Sequence, residues 1–130
     1  MREELEDKLF KKYPKIFIRD ETIDRNLMGF GFECGDGWYW LIDKLCSSLQ
    51  FQADQNGHQQ MVATQVKAKF GGLCFYVQSN DEYLDAYIEF AESLSTSVCE
   101  ECGSTNDVIQ TKGWIRTVCK DCLDKKNNDG

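Results

Sequence analysis

The period of the apolar side chains changes along this chain, and each change marks out an element. In residues 3–13, Leu5, Leu9 and Phe10 share one helical stripe among charged neighbours, and Pro14 predicts its end. Trp38, Leu41, Ile42, Leu45, Cys46 and Leu49 then fall at i, i+3, i+4, i+7, i+8 and i+11, one buried helix face. That spacing predicts a helix over 37–50, with Asp36 placed as its N-cap. From Met61 the period drops to two: Val62, Thr64, Val66, Ala68 and Phe70 alternate with Ala63, Gln65, Lys67 and Lys69. Gly71-Gly72 follows, and then the apolar run 73–77, so a hairpin turning on the two glycines is expected. The second strand is apolar on both faces, which predicts a central place in a sheet or cover by a helix. Ser79 to Glu82 has the capping-box pattern, and Leu84, Tyr87, Ile88, Ala91 and Leu94 supply the stripe of a further helix reaching about Ser95.

Two stretches are less legible. Ile16-Phe17-Ile18, within 15–19, is too short to type, and residues 27–33 read either as a short strand or as a packed loop. The whole predicts an α+β protein. Three helices pack on a β-hairpin or small antiparallel sheet in a body over 1–96, followed by a C-terminal module over 97–123 and a flexible tail over 124–130.

The cysteines supply the chemistry of that module. Cys99, Cys102, Cys119 and Cys122 form two C-x-x-C pairs with 16 residues (103–118) between them, a spacing that suits a tetrahedral metal site. Gly103 follows the second thiol, where a tight turn aims backbone amides at sulfur. Residues 107–111 and 114–118 can pair through Lys112-Gly113, which predicts a zinc ribbon holding one structural Zn²⁺. Four thiolates leave no open coordination position for catalysis. The competing reading is a pair of redox dithiols. Seven cysteines would suit a disulfide framework in a secreted protein, but the number is odd and no apolar leader stands at residues 1–12. The expectation is a cytoplasmic protein with reduced thiols and no membrane association.

Charge narrows the partners. The formal net charge is −7 over 130 residues. Residues 1–96 carry 10 Lys/Arg against 16 Asp/Glu, and residues 97–130 carry 5 against 6. That balance repels a phosphate backbone, so nucleic acid is a disfavoured partner. Lys67, Lys69, Lys112, Arg116 and Lys120 are the one basic cluster, with Trp114 beside Arg116, and such a face is ordinarily just solvated. Gly35-Asp36-Gly37-Trp38-Tyr39-Trp40 reads either as helix capping with core packing or as an interface anchor. Tyr39 and Trp40, off the buried stripe, are with Arg116 the candidate partner-binding residues. Cys46 and Cys74 read as core thiols. A nucleophile built from Cys34 with His58, the one histidine, and Asp36 is the weakest alternative, and the expectation is a protein that is not an enzyme.

The motifs CGDGWYWLIDKLC (34–46), QVKAKFGGLCFYV (65–77), IEFAESLS with CEECG (88–103) and GWIRTVCKDC (113–122) together resemble a group of small uncharacterised phage and prophage proteins, over most of the chain from about residue 30. The resemblance implies a compact α+β body followed by a Cys-rich zinc module, and transfers no active site. It implies a phage setting, the host cytoplasm, and a host protein of the defence or replication machinery as partner. The alternative is a nucleic-acid-binding accessory or regulatory factor that uses the ribbon.

Overall fold

A computed structural model describes residues 1–18 and 26–129. The fold is α+β, with four α-helices and two small sheets among the described residues. Helix α1 (Glu3–Lys12) ends where expected, with Tyr13 breaking the helical dihedrals before Pro14. A 3-10 turn at Met28–Phe30 leads into β1 (Phe32–Glu33), so the ambiguous stretch contains a strand. Arg19, the end of the untyped run, lies outside the described residues.

The second helix departs from expectation at both ends. A 3-10 turn (Asp36–Trp38) precedes α2 (Tyr39–Asn56), and the Asp36 side chain makes no capping bond. It pairs instead with Arg2, accepting from its backbone N–H at 2.7 Å and its guanidinium at 2.8 Å. At the far end the helix runs six residues past Gln50 and stops at Gly57, whose φ of 70° supplies the left-handed cap. Residues 51–56 do not extend the apolar stripe that predicts the helix, because a helix leaving the core needs none.

Strand β2 (Ala63–Lys69) pairs antiparallel with β3 (Gly72–Val77), and β1 pairs parallel with β2, giving the order β1-β2-β3. The sheet is therefore mixed rather than antiparallel, and β3 is an edge. The register shifts between Ala63 and Gln65, and this bulge resets the alternation so that Ala63 and Val66 are buried. The turn sits one residue earlier than Gly71-Gly72: Phe70 (φ 51°) and Gly71 (φ 79°) occupy its centre, and Gly72 pairs with Lys69.

Helix α3 (Glu82–Ser95) packs against β3 and α2. Its N-cap is Asp81, which accepts from Leu84 N, rather than Ser79. Two side chains of α3 close the open edge of β3: Ser95 Oγ accepts from Leu73 N at 2.9 Å and Glu92 from Phe75 N at 2.8 Å. Both donors would otherwise offer a template for strand addition. At the other edge Glu6 accepts from Phe32 N at 2.5 Å.

The core lies between sheet and helices. Trp38, Ile42, Leu49, Met61, Val66, Leu84 and Ile16 are fully buried, and Phe17 meets Phe10, Phe32 and Phe75 at ring distances of 5.0–6.2 Å. Cys46 belongs to this core, whereas Cys74, on the outer face of the edge strand, is only half-buried. The second sheet pairs β4 (Val108–Gln110) with β5 (Thr117–Cys119), and α4 (Lys120–Asp129) follows directly, through residues expected to form a tail. No helix among the described residues is long and apolar enough to cross a membrane.

Candidate metal centre and adjoining cleft

The two C-x-x-C pairs come from opposite sides of the β4–β5 hairpin. Cys99 and Cys102 lie in the turn that enters it, Cys119 ends β5, and Cys122 is in the first turn of α4. All four sulfurs lie within 4.8 Å of one another, and Cys102 Sγ is 3.7 Å from Cys119 Sγ. A tetrahedron with metal–sulfur bonds of about 2.3 Å has edges of roughly 3.8 Å. The cluster can therefore hold one metal ion with little movement, and the all-thiolate set suits a borderline-soft tetrahedral ion.

Local backbone prepares the ligands. Cys99 N donates to Ser104 O at 2.8 Å and Gly103 N to Cys99 O at 2.9 Å, with Gly103 at φ 83° completing the knuckle. Burial alone would raise the Cys99 thiol, but N–H groups of Cys119, Cys102 and Glu101 directed at its sulfur bring it down to about 7. Cys122 N donates to Cys119 Sγ at 3.4 Å. Burial and the neighbouring thiols push Cys122 upward, the repulsion expected of four sulfurs gathered for a cation. Beyond the ligands the module's own cluster has little core: Val118 is buried, with Val108 and Leu123 packed against it.

The first knuckle is seated on the body by the segment Gly35–Trp38. Gly37 N donates to Glu100 O at 2.7 Å, Gly35 N to the Glu100 carboxylate at 2.9 Å, and the buried Trp38 indole to Val98 O at 2.9 Å. A Cβ at Gly37 would stand 2.5 Å from Gly103 N and closer still to Cys99 O, so only glycine permits this approach. The Gly/aromatic motif is thus an internal socket: Trp38 packs in the core as one sequence reading held, Asp36 does not cap the helix, and neither reading foresaw the glycines seating the knuckle. Tyr39 is half-buried against the core. Trp40 is 39% exposed and donates its indole N–H to Gly103 O at 3.1 Å.

A second contact joins the module to the hairpin tip. Buried Thr117 donates from Oγ1 to Gly71 O at 2.5 Å, and a Cβ at Gly71 would meet Ile115 Cγ2 at 2.8 Å. Between tip and module lies a cleft of about 450 Å³ lined by Lys67, Lys69, Phe70, Trp114, Ile115 and Arg116, with Glu100 in its wall. Of the expected basic cluster, Lys67, Lys69 and Arg116 meet here, while Lys112 and Lys120 do not line it. Arg116 is engaged by Glu101, which also pairs with Lys126 at 3.1 Å. Phe70 and Trp114 are 79% and 87% exposed. Sequence reasoning passed over Phe70, because alternation assigned it to a strand face; a bulky residue beside Gly71 was the available signal.

Cys34, Asp36 and His58 are each occupied elsewhere. Cys34 is buried, and burial pushes its thiol up to about 12. Asp36 holds Arg2. His58 Nδ1 lies 2.9 Å from Asp81, and its ring stacks on Tyr83 at 4.7 Å. Comparison of the chain with protein-family models, curated proteins and solved structures gives no significant match.

Proposed function

We propose that this chain is a non-enzymatic interaction protein, stabilised by one structural Zn²⁺ in a zinc ribbon, that binds another protein. The observation that carries the reading is the joint between ribbon and body. Four thiolates fill a tetrahedral ion and leave it no substrate position, while the site's architecture is spent on seating the ribbon against Gly35–Trp38 and Gly71. That seating supports a rigid surface with solvent-projecting aromatics, the residue type enriched at the anchors of protein interfaces. The resemblance to phage and prophage proteins supports a host protein of the defence or replication machinery as partner, met in the host cytoplasm.

Affinity capture from nuclease-treated host lysate, with the zinc-loaded chain and a chelated control, tests this reading. Recovery of one specific protein by the zinc-loaded chain alone is the expected result. Equal recovery by both forms, or of nothing beyond background, would count against it. One observation favours a second reading as a nucleic-acid-binding accessory factor: Lys67, Lys69 and Arg116 lie beside Phe70 and Trp114, a pairing that suits stacked bases. It predicts salt-sensitive binding of single-stranded DNA or RNA, weakened by Arg116→Ala.

A further inference from the structure

Phe70 stands in a position that the fold does not favour for it. Its φ of 51° lies in the left-handed region, where a non-glycine side chain is costly and Gly or Asn is the usual occupant. Burial offers no compensation, since 79% of the residue is exposed. Strain of this kind, kept without a packing return, gathers at functional positions.

Trp114 lines the same cleft as Phe70. It is 87% exposed, the most exposed large apolar residue among those described. Its loop is closed on both sides by Thr111, which donates from Oγ1 to Trp114 O at 2.8 Å and accepts from Arg116 N at 2.9 Å. The ring is therefore displayed by an ordered loop, not a frayed one. Ile115 against Gly71 and Thr117 bonded to Gly71 O fix the two walls together. The cleft is preformed, and its volume is within the range of ligand pockets.

Its charge selects the ligand. In a chain of net −7 this cleft gathers Lys67 and Lys69, neither paired with a carboxylate among the described residues, on one strand face, with Arg116 at the rim. Glu101 already neutralises Arg116, and Glu100 lies in the wall. Lys69 Nζ lies over the Phe70 ring, 5.8 Å from its centroid, so the positive charge without a carboxylate partner is two lysines beside two aromatics. It matches one or two carboxylates next to an apolar group better than a phosphate chain, which would run on over an acidic protein.

We infer that this cleft docks a short peptide segment of a partner protein in which an acidic residue adjoins a large apolar side chain. The apolar side chain packs between Phe70 and Trp114, and the carboxylate meets Lys67 and Lys69. The inference rests on the reading of the chain as a protein-binding module and specifies the surface that such a module would use.

The test is selection of a displayed library of random dodecapeptides on the zinc-loaded full chain, followed by binding of the enriched peptides to Trp114→Ala and Lys69→Glu. Both positions are exposed, and zinc content with thermal midpoint verifies that each variant is folded. The expected result is a consensus pairing Asp or Glu with a large apolar residue, weakened by about tenfold or more in each variant. Failure to enrich any sequence, or a consensus without a carboxylate, overturns the inference. A consensus that binds both variants like wild type overturns the cleft alone and leaves the binding-module reading standing. A dT20 oligonucleotide measured in parallel supplies the remaining arm: if it binds more tightly than the peptides and loses that binding in the same variants, the ligand is nucleic acid and both readings fall.

Discussion

Replacing Gly37 by Ala isolates the joint between the metal module and the body. No left-handed φ is needed at this glycine, so the substitution acts through space rather than backbone preference. The added Cβ would lie 2.5 Å from Gly103 N and 2.7 Å from Glu100 C, where ordinary contact begins at 3.4 Å. The first knuckle must retreat by roughly 1 Å, an overpacking penalty of about 1–3 kcal/mol. Retreat also stretches the bonds from Gly37 N to Glu100 O and from the Trp38 indole to Val98 O, now 2.7 and 2.9 Å. Each contributes about 0.5–1.5 kcal/mol, and Trp38 is fully buried, so its indole N–H depends on that acceptor. The expected loss is about 2–6 kcal/mol in urea unfolding followed by tryptophan fluorescence at fixed zinc, with weaker metal retention against a chromophoric chelator. Gly29→Ala is the control, since nothing lies within 4 Å of that position. A Gly37→Ala protein that unfolds at the wild-type midpoint and holds metal equally well would refute the seating of the knuckle on this segment.

Other consequences follow from single side chains. Phe70→Gly removes the left-handed penalty at the hairpin tip and should leave stability unchanged or raise it by up to about 1 kcal/mol, while abolishing peptide binding in the cleft; a large loss of stability would mean that Phe70 is structural. Burial raises the Glu92 carboxyl, so its ionised form costs the folded state at neutral pH, and that cost vanishes as pH falls below its elevated pKa. Glu92→Gln keeps an acceptor for Phe75 N and should be neutral or stabilising at pH 7, whereas Glu92→Ala should lose about 1–3 kcal/mol and leave β3 open to association, read by urea unfolding and light scattering. Burial works against ionisation of Asp43, but the Tyr13 hydroxyl at 2.6 Å and the Lys12 ammonium at 2.9 Å hold its carboxyl below the ordinary value. Its contribution is complete above the unfolded pKa of about 3.9 and is lost as pH falls through the lower folded value, so Asp43→Asn should flatten the acid limb of the stability profile.

The helix stripes, the period-two run and the two C-x-x-C pairs are local patterns, and they mark out α1, α2, α3, the β2–β3 hairpin and the gathered sulfurs. What sequence missed depends on contacts between distant segments. Asp36 looks like an N-cap until Arg2 is folded against it, and Asp81 displaces Ser79 because its carboxylate also meets His58 and Gln59. The parallel pairing of β1 with Val66 and Lys67 joins residues more than 30 apart and leaves no local signal. The bulge between Ala63 and Gln65 breaks the alternation on which the face assignment relied. Gly35 and Gly37 were visible as unusual, but their reason is the knuckle backbone more than 60 residues downstream. The cleft is further from reach, since it exists only where the hairpin tip meets Ile115 and Thr117.

That four thiolates hold a single zinc ion, and that this ion keeps the C-terminal module seated on the body, is the proposal on which the other expectations depend. The direct measurement is zinc content together with the amide and indole NMR spectrum before and after chelation. One zinc per chain is predicted. On its removal the signals of 97–123 should collapse, the Gly35, Gly37 and Trp38 indole signals should shift with them, and the core signals of Ile42 and Val66 should stay. Cys102→Ser should reproduce the chelated spectrum. A chain that carries no zinc, or one whose Gly37 and Trp38 signals ignore its loss, would contradict the account.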